Sequence, residues 1–300
     1  VTARAPTASV PIANVPIRKL TEADLPAIAD LAADRDWPPE ESKWRLLFAV
    51  GEPFGVDDPD GGLAAAVVLT RYGAGLAAIG MMLVATRHGR QGLGGRLMRY
   101  ALELAGDAVV YLTATSYGQP LYERLGFRPV DCSVTYRGRL IAHTGPTAPA
   151  ASGTGTGTGT GERTRRVGAG DLAAVSAYDQ RVFGADRLRV LATMTTFADE
   201  FLMLESPAGG YGGAWAKDET RVIGPLVAPD LAAAATLIRD LADGWPGPIR
   251  LDLLGRHGEL ARWALASGLA AGERTTLMVT GGDLPGDRAR LYCPIAVAIG

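Results

Sequence analysis

From Leu63 to Val84 the chain is almost continuously apolar, broken by Thr70-Arg71 and by glycines at 73, 75 and 80. Two short apolar runs divided by Tyr72-Gly73 read as a buried hairpin, with strands over 62–72 and 75–85. The spacing then changes. Leu93, Leu97, Tyr100 and Leu104 recur every three or four residues, which predicts an amphipathic helix over 92–105. Ahead of the hairpin the pattern predicts a strand over 15–20, helices over 22–33 and 39–49, and a strand over 53–57. Thr21 or Asp24 suits the first helix as a cap, with Pro26 leaving its start ambiguous. Beyond the 92–105 helix it predicts a strand over 109–114, a helix over 117–125, and strands over 127–130 and 133–141. Turn signals between early strands favour hairpins, and later strand–helix–strand units favour parallel crossovers. The fold class is α/β (an α+β mixed sheet), mostly antiparallel and flanked by helices.

Between Thr144 and Glu162 lies TGPTAPAASGTGTGTGTGE, which cannot bury apolar surface and reads as a linker. The predicted organisation is a first domain over 1–145, a linker over 146–162 and a second domain over 163–300. The two sides share a pattern. IRKLTEADLPAIADL from Ile17 aligns with TRRVGAGDLAAVSAY from Thr164, so that Asp24-Leu25 matches Asp171-Leu172. Farther on, VVYL leads to a helix ending YERLGF, and IRLDLL leads to one ending ALASGL. Gly126 and Gly268 both suit the left-handed position after a helix. The chain reads as two diverged copies of one module.

Composition narrows the function. The 300 residues are 47% hydrophobic, enough for packed cores, and the net charge of −2 gives no global attraction to nucleic acid or to an anionic membrane. Two cysteines and three histidines, with no CxxC or HExxH, build neither a disulfide framework nor a metal cluster. No apolar run reaches the length of a membrane span, and VTARAPTASVPIANVP lacks the apolar centre of a signal peptide. A cytoplasmic protein, monomeric or homodimeric, is expected. The excess of Ala, Gly, Arg and Asp fits a GC-rich bacterial genome of the actinomycete kind.

The stretch RHGRQGLGGRLM, from Arg87 to Met98, sits at a strand-to-helix turn. It reads as a flexible loop, a basic patch or a phosphate cradle. Unpaired N–H groups at a helix start, approachable through glycines, suit an anion such as pyrophosphate. Arg87, Arg90, Arg96 and Arg99 add local positive charge, and no Asp or Glu lies between Ala85 and Leu102. The order is neither that of a P-loop nor that of a GxGxxG dinucleotide fingerprint.

GRQGLG at 89–94 and TSYGQPLYERLGF at 115–127 together resemble the GCN5-related N-acetyltransferase (GNAT) family. The first resembles its acyl-CoA motif, with Gly89 in place of the usual Arg or Gln. The second resembles its NxxAxxLYExLGF motif, with Thr115 in place of Asn. The resemblance implies acetyl-CoA, or another acyl-CoA, as acyl donor and no metal. It implies pantetheine lying along Met82, Leu83 and Val84, paired with their backbone. It implies pyrophosphate at Gly89, Arg90, Gln91, Gly92, Leu93, Gly94 and Gly95, with Thr115 beside the cofactor. It makes Tyr122 the catalytic acid that protonates the departing thiolate; the alternative is a packing role.

The strand before the loop carries no carboxylate to serve as base. Asp36, Glu40 and Glu41 lie in the turn where relatives bind acceptors and are the candidates for the base, and Asp36, Trp37 and Glu40 are the acceptor-site candidates, with Trp37 as an apolar lining. Cys132 reads as an inert thiol. In the second module Pro229 and Asp230 replace the glycine loop, and Ala264 falls where Tyr122 falls. VFGADR with VIGPLVAPD resembles the C-terminal domains of some tandem bacterial GNAT proteins, so 163–300 reads as a degenerate GNAT-like domain. The expected function is transfer of an acyl group to a small-molecule amine by direct attack in a ternary complex. The alternative is a non-catalytic acyl-CoA sensor, and no nucleic-acid or membrane partner is expected.

Overall fold

A computed structural model describes residues 11–37, 40–141 and 163–299. The linker expected at 146–162 lies outside the described residues. The first half runs β1 (Ile17–Lys19), α1 (Leu25–Ala33), α2 (Glu41–Val50), β2 (Glu52–Asp57), β3 (Leu63–Tyr72), β4 (Leu76–Val84), α3 (Leu93–Ala105), β5 (Val109–Ala114), α4 (Gln119–Arg124) and β6 (Arg128–Gly138). The second runs β7 (Thr164–Arg166), α5 (Leu172–Phe183), α6 (Leu188–Phe197), β8 (Glu200–Leu204), β9 (Tyr211–Lys217), β10 (Thr220–Val227), α7 (Leu231–Ala242), β11 (Ile249–Leu254), α8 (Gly258–Ala266), β12 (Leu269–Thr280) and β13 (Leu291–Cys293).

The two halves start with the same clamp. The Arg18 guanidinium donates to Asp24 at 2.7 Å, and the Asp24 carboxylate accepts the Thr21 N–H at 2.8 Å. Six residues apart again, Arg165 donates to Asp171 at 2.6 Å, and Asp171 accepts the Gly168 N–H at 2.8 Å. Each carboxylate caps a short 3₁₀ turn that leads into α1 or α5, a use of acidic residues at helix starts that satisfies orphan donors. Pro26 stands at the start of α1, where a missing N–H costs nothing. The matching ends also repeat, with Gly126 at φ 86° and Gly268 at φ 91°.

The expected strands at 127–130 and 133–141 are one strand, β6. The strand that completes the first half's sheet comes instead from the second half. The sheet order is β1-β2-β3-β4-β5-β12-β6-β11-β10-β9-β8-β7. β12 pairs antiparallel with β5 through Thr276↔Ala114 to Thr280↔Val110, while β6 pairs antiparallel with β11 through Gly138↔Ile249 to Ser133↔Leu254. β6 and β12 have therefore changed places, and they pair with each other at the centre. Sequence periodicity finds strands but not which half they serve, because pairing partners are set by tertiary packing.

On one face, α3 buries Leu93, Leu97, Met98 and Ala101 against β3 and β4; each large side chain contributes about 1.5–3 kcal/mol. Tyr100 lies at the edge of that stripe, edge-on to Phe54 at 5.3 Å. α7 and α8 cover the second half's stretch of the same face. The opposite face carries one core shared by both halves, with Leu47 and Trp44 of α2 in the same cluster as Leu191 and Met194 of α6. Arg189 also donates to the Ala49 carbonyl at 2.6 Å, tying α6 to α2.

Candidate functional site

β4 and β5 run parallel only from Leu76↔Val109 to Ile79↔Leu112. Next comes Gly80, where a side chain would collide with the Ala298 carbonyl, and then Met81 at φ 51°. The register against β3 slips here by one residue, between Ala66 and Val68. This bulge bends β4 away from β5, so among the described residues Met81–Val84 have no strand partner on that side. Beyond Ile79 and Leu112 the two strands part as a wedge, with Met82, Leu83 and Val84 along its β4 side. Leu83 is buried toward the shared core, whereas the Met82 and Val84 side chains turn toward α3.

The glycine turn stands at the end of this wall. Arg90 has φ 60° and Gly92, the residue before α3, has φ 83°. Two left-handed residues fold the chain into a tight approach that a β-branched residue at 92 would resist. The first helical bond runs from the Arg96 N–H to the Gly92 carbonyl at 3.0 Å. The N–H groups of Leu93, Gly94 and Gly95 therefore have no acceptor in the helix. A β-carbon on Gly94 would stand 3.4 Å from Leu121 of α4 and 3.5 Å from Val84, so the starts of α3 and α4 meet at the cleft. Gly89, Arg90 and Gln91 precede this start, with Arg90 and Gln91 exposed.

The basic field is smaller than the sequence suggests. Arg87 donates to Asp58 at 2.8 Å, and His88 shares the same carboxylate at 2.5 Å. Burial pushes the Asp58 carboxyl up, but hydrogen bonds from the Asp60 N–H, His88 and Arg87 outweigh it and hold it below the usual range. Arg96 reaches back to the Val15 carbonyl at 2.5 Å. Two of the four arginines thus brace the loop, an assignment a sequence cannot make because Asp58 lies about thirty residues away. Arg90 and Arg99 remain exposed beside the helix start.

Tyr122 is buried on α4, edge-on to Phe127 at 6.1 Å. Its ring folds back over Gly118, where a β-carbon would lie 3.3 Å from the hydroxyl. Burial pushes the phenol up to about 12. Thr115 accepts the Gly118 N–H on its hydroxyl at 3.3 Å and the Gln119 N–H on its carbonyl at 3.0 Å, which sets the start of α4. Cys132 is buried, in keeping with an inert thiol.

The second half has the same wedge, and the chain itself fills it. β10 and β11 run parallel from Arg221↔Ile249 to Ile223↔Leu251. Gly224 then matches Gly80, and a side chain there would collide with the Pro294 carbonyl. Beyond it, β13 pairs with β10 through Leu226↔Cys293 and Val227↔Leu291. The His257 ring contacts the Leu291 carbonyl at 2.7 Å and stacks on Tyr292 at 4.1 Å. At the start of α7 the Asp230 carboxylate accepts the Ala233 N–H at 2.9 Å, taking the place an anion would occupy. Ala264, opposite Tyr122, is fully buried. VFGADR has a structural use as well: Arg187 donates to the buried Asp179 at 2.7 Å and lies 3.8 Å from the centre of the Phe183 ring.

The acceptor candidates separate. Asp36 is exposed at φ 56°, Trp37 packs partly against the shared core, and Glu40 lies in a cavity of about 240 Å³ between the halves. Glu41 at the rim is exposed and paired with Arg45 at 2.6 Å. The connection from α1 to α2 spans from cleft to cavity. At one end Asp34 accepts the Thr86 N–H at 2.6 Å, just beyond β4; at the other Glu40 pairs with Lys217 of β9. Sequence reading missed the other residues of the cavity, among them Lys43, Trp215, Lys217, Asp218, Arg250, Asp252, Ala296 and Val297. The Ile-Gly pair shared by β4 and β10, and the apolar run PIAVAI at 294–299, were the available signals.

Among the described residues no helix is long and apolar enough to cross a membrane, and no group of His, Cys, Asp and Glu is arranged to hold a metal. Two family models, each described as an acetyltransferase (GNAT) domain, match residues 52–129 and 175–293. A Bacillus subtilis (strain 168) protein named as the uncharacterized N-acetyltransferase YitH is 26% identical over 287 residues, covering 94% of this chain and 97% of its own length. A Pyrococcus horikoshii protein assigned provisionally as an acetyltransferase superposes with a TM-score of 0.75 at 19% identity, covering 99% of this chain and 100% of the other. A tandem GNAT protein from the clavulanic acid biosynthesis pathway superposes with a TM-score of 0.57 at 15% identity, covering 90% and 99%. With two such domains in one polypeptide, the chain belongs to the GNAT acetyltransferases.

Proposed function

We propose that this chain is a cytoplasmic acyltransferase that works at one of its two wedges, moving an acetyl group from acetyl-CoA to the amine of a small molecule. The observation that carries the reading is the asymmetry of the wedges. In the first, the β4 edge and the N–H groups of Leu93, Gly94 and Gly95 are open; in the second, β13 and Asp230 take both places. The glycine turn holds the pyrophosphate at a helix start, where dipole and orphan donors favour an anion. The free edge of Met82–Val84 pairs with the pantetheine amides as an added strand would.

The donor supplies an acetyl thioester. The neutral amine forms a C–N bond at its carbonyl carbon, the C–S bond breaks, and the ammonium proton passes to water. Tyr122 gives its proton to the sulfur and regains one from solvent. A phenol held at about 12 stays protonated across the physiological range, so the acid is always loaded.

Calorimetric titration with acetyl-CoA tests the reading. One site per chain is expected, together with thiol release when an accepted amine is added. Two sites of equal affinity would contradict the asymmetry. Tight binding with no thiol release across a broad amine panel would favour an acyl-CoA sensor.

A further inference from the structure

We infer that Asp58 is a positioning residue for the cofactor, holding the glycine turn in the shape that receives the diphosphate without touching the ligand, an inference that rests on the acyltransferase reading. Asp58 begins the turn between β2 and β3. Its N–H donates to the Gly62 carbonyl at 3.0 Å, and its carbonyl accepts the Gly61 N–H at 2.9 Å. The Ala85 N–H donates to the Ala64 carbonyl at 2.8 Å, so the residues after β4 run beside the start of β3. The turn and the approach to the glycines therefore stand side by side at one end of the sheet. From the turn the Asp58 carboxylate reaches the two residues directly before Gly89. One oxygen takes Arg87 Nε at 2.8 Å, Arg87 Nη2 at 2.6 Å and His88 Nε2 at 2.5 Å; the other accepts the Asp60 N–H at 2.9 Å. The side chain is fully withdrawn from water, where a carboxylate is stable only when its oxygens are paired. The His88 nitrogen that faces it carries a proton there.

The second half shows that the turn itself does not need the acid. Ser206 stands in the matching place between β8 and β9, ahead of Gly209 and Gly210 as Asp58 stands ahead of Gly61 and Gly62. The Gly209 N–H donates to the Ser206 carbonyl at 3.0 Å, and the Ser206 hydroxyl accepts the Ala208 N–H at 3.3 Å, the same two bonds that Asp58 makes to Gly61 and Asp60. The helix of that half starts on Asp230, with no glycine loop to hold. What the carboxylate adds in the first half is its grip on Arg87 and His88. The loop needs that grip. Arg90 at φ 60° and Gly92 at φ 83° are left-handed, and only Gln91 lies between them. A glycine-rich turn has many shapes open to it, and a turn ordered only when the ligand arrives loses affinity to its own ordering. Asp34 fixes the same segment one residue earlier by accepting the Thr86 N–H at 2.6 Å, and the Arg87 carbonyl accepts the Gln91 amide at 3.1 Å. Held at Thr86, Arg87 and His88, the chain leads to the N–H groups of Leu93, Gly94 and Gly95 with its turn already formed.

The test uses the full chain and acetyl-CoA, and needs no turnover. Asp58→Ser gives the turn the residue that the second half uses and removes the grip on the loop. Calorimetry is expected to show acetyl-CoA affinity lower by about tenfold, roughly 1.4 kcal/mol. Amide hydrogen exchange of the ligand-free variant, followed by mass spectrometry, is expected to speed up within 86–95 and stay unchanged in the second half. His88→Leu should also weaken binding, and His88→Gln, which places a neutral amide N–H near the position of Nε2, should restore most of it. Unchanged affinity in Asp58→Ser overturns the inference, as does weaker binding without faster exchange in 86–95, or His88→Gln binding as poorly as His88→Leu. Faster exchange throughout the chain with a lower melting temperature would make Asp58 a residue of general stability and overturn it too. Wild-type protein that binds no acetyl-CoA sinks the acyltransferase reading itself, an outcome distinct from a variant that binds as well as wild type does.

Discussion

The two wedges of this chain share a frame and differ in what fills them. Each is made by two parallel strands that part after an Ile-Gly pair, and each lies beside a helix start. In the first half the helix starts on glycines with free N–H groups. In the second it starts on Asp230, and a strand from the same chain lies in the opening. In the second half a carboxylate meets the helix start and a backbone pairs with the strand edge. Under the proposed function they mark the two places that the pyrophosphate and the pantetheine amides of acetyl-CoA take in the first half.

The largest effect expected comes from breaking the frame itself. The sequence predicts a first domain over 1–145, but the strand exchange predicts that this fragment does not stand alone. Without β12 the inner edge of β5 is bare, and Tyr72 and Tyr111 lose Phe183 and the Ile299 carbonyl. Circular dichroism of the fragment is expected to show no cooperative melt, and calorimetry no acetyl-CoA binding. A protease site placed within 146–162 of the intact protein should, after cleavage, give two pieces that co-elute until denaturant is added. A soluble, binding-competent fragment would show the exchange to be dispensable.

Next in size is the proposed acid. Tyr122→Phe keeps the ring against Phe127 and removes the proton, and kcat and kcat/KM are expected to fall together by about 10²-fold, the low end for a placed acid. Acetyl-CoA affinity should change little. Because burial raises the phenol to about 12, its protonated form is lost only as pH approaches that value. The alkaline limb of the wild-type profile should therefore show no Tyr122 titration below about pH 11. Wild-type turnover by the variant would make Tyr122 a packing residue.

Gly94→Asp sharpens the comparison by giving the first helix the carboxylate that the second already has. Acetyl-CoA affinity is expected to fall at least about tenfold, roughly 1.4 kcal/mol. The β-carbon meets Leu121 and Val84 at ordinary contact distance, so the fold should hold. Unchanged affinity in calorimetry would remove the phosphate cradle. The smallest effect is the converse. Asp230→Ala deletes the cap of α7 and should cost about 1 kcal/mol in denaturant unfolding, yet leave one acetyl-CoA site per chain because β13 still fills the wedge. A second site appearing in this variant would show that Asp230 alone keeps the ligand out.

What the sequence revealed follows distance along the chain. The glycine turn, the capped helix at Asp230, the clamp partners Asp24 and Asp171, and the φ-positive Gly126 and Gly268 are local features, and local pattern found them. The partner of Arg87, the exchange of β6 and β12 and the cavity between the halves depend on residues dozens to more than a hundred positions apart. No periodicity encodes such meetings. In the sequence Glu40 stands out only as a carboxylate in the turn where relatives bind acceptors; Lys217, the cation it meets, lies on β9 of the other half.

Fusion of the halves has an evolutionary consequence. In a symmetric dimer of identical subunits every substitution is made twice, so a carboxylate that closes one wedge closes both. Here each position is inherited once. Asp230 and β13 can seal one opening and stiffen that half while Gly92 and Gly94 stay untouched in the other. On the proposed reading the sealed half is released from catalysis, and its β9 and β11 are free to change where they line the cavity between the halves.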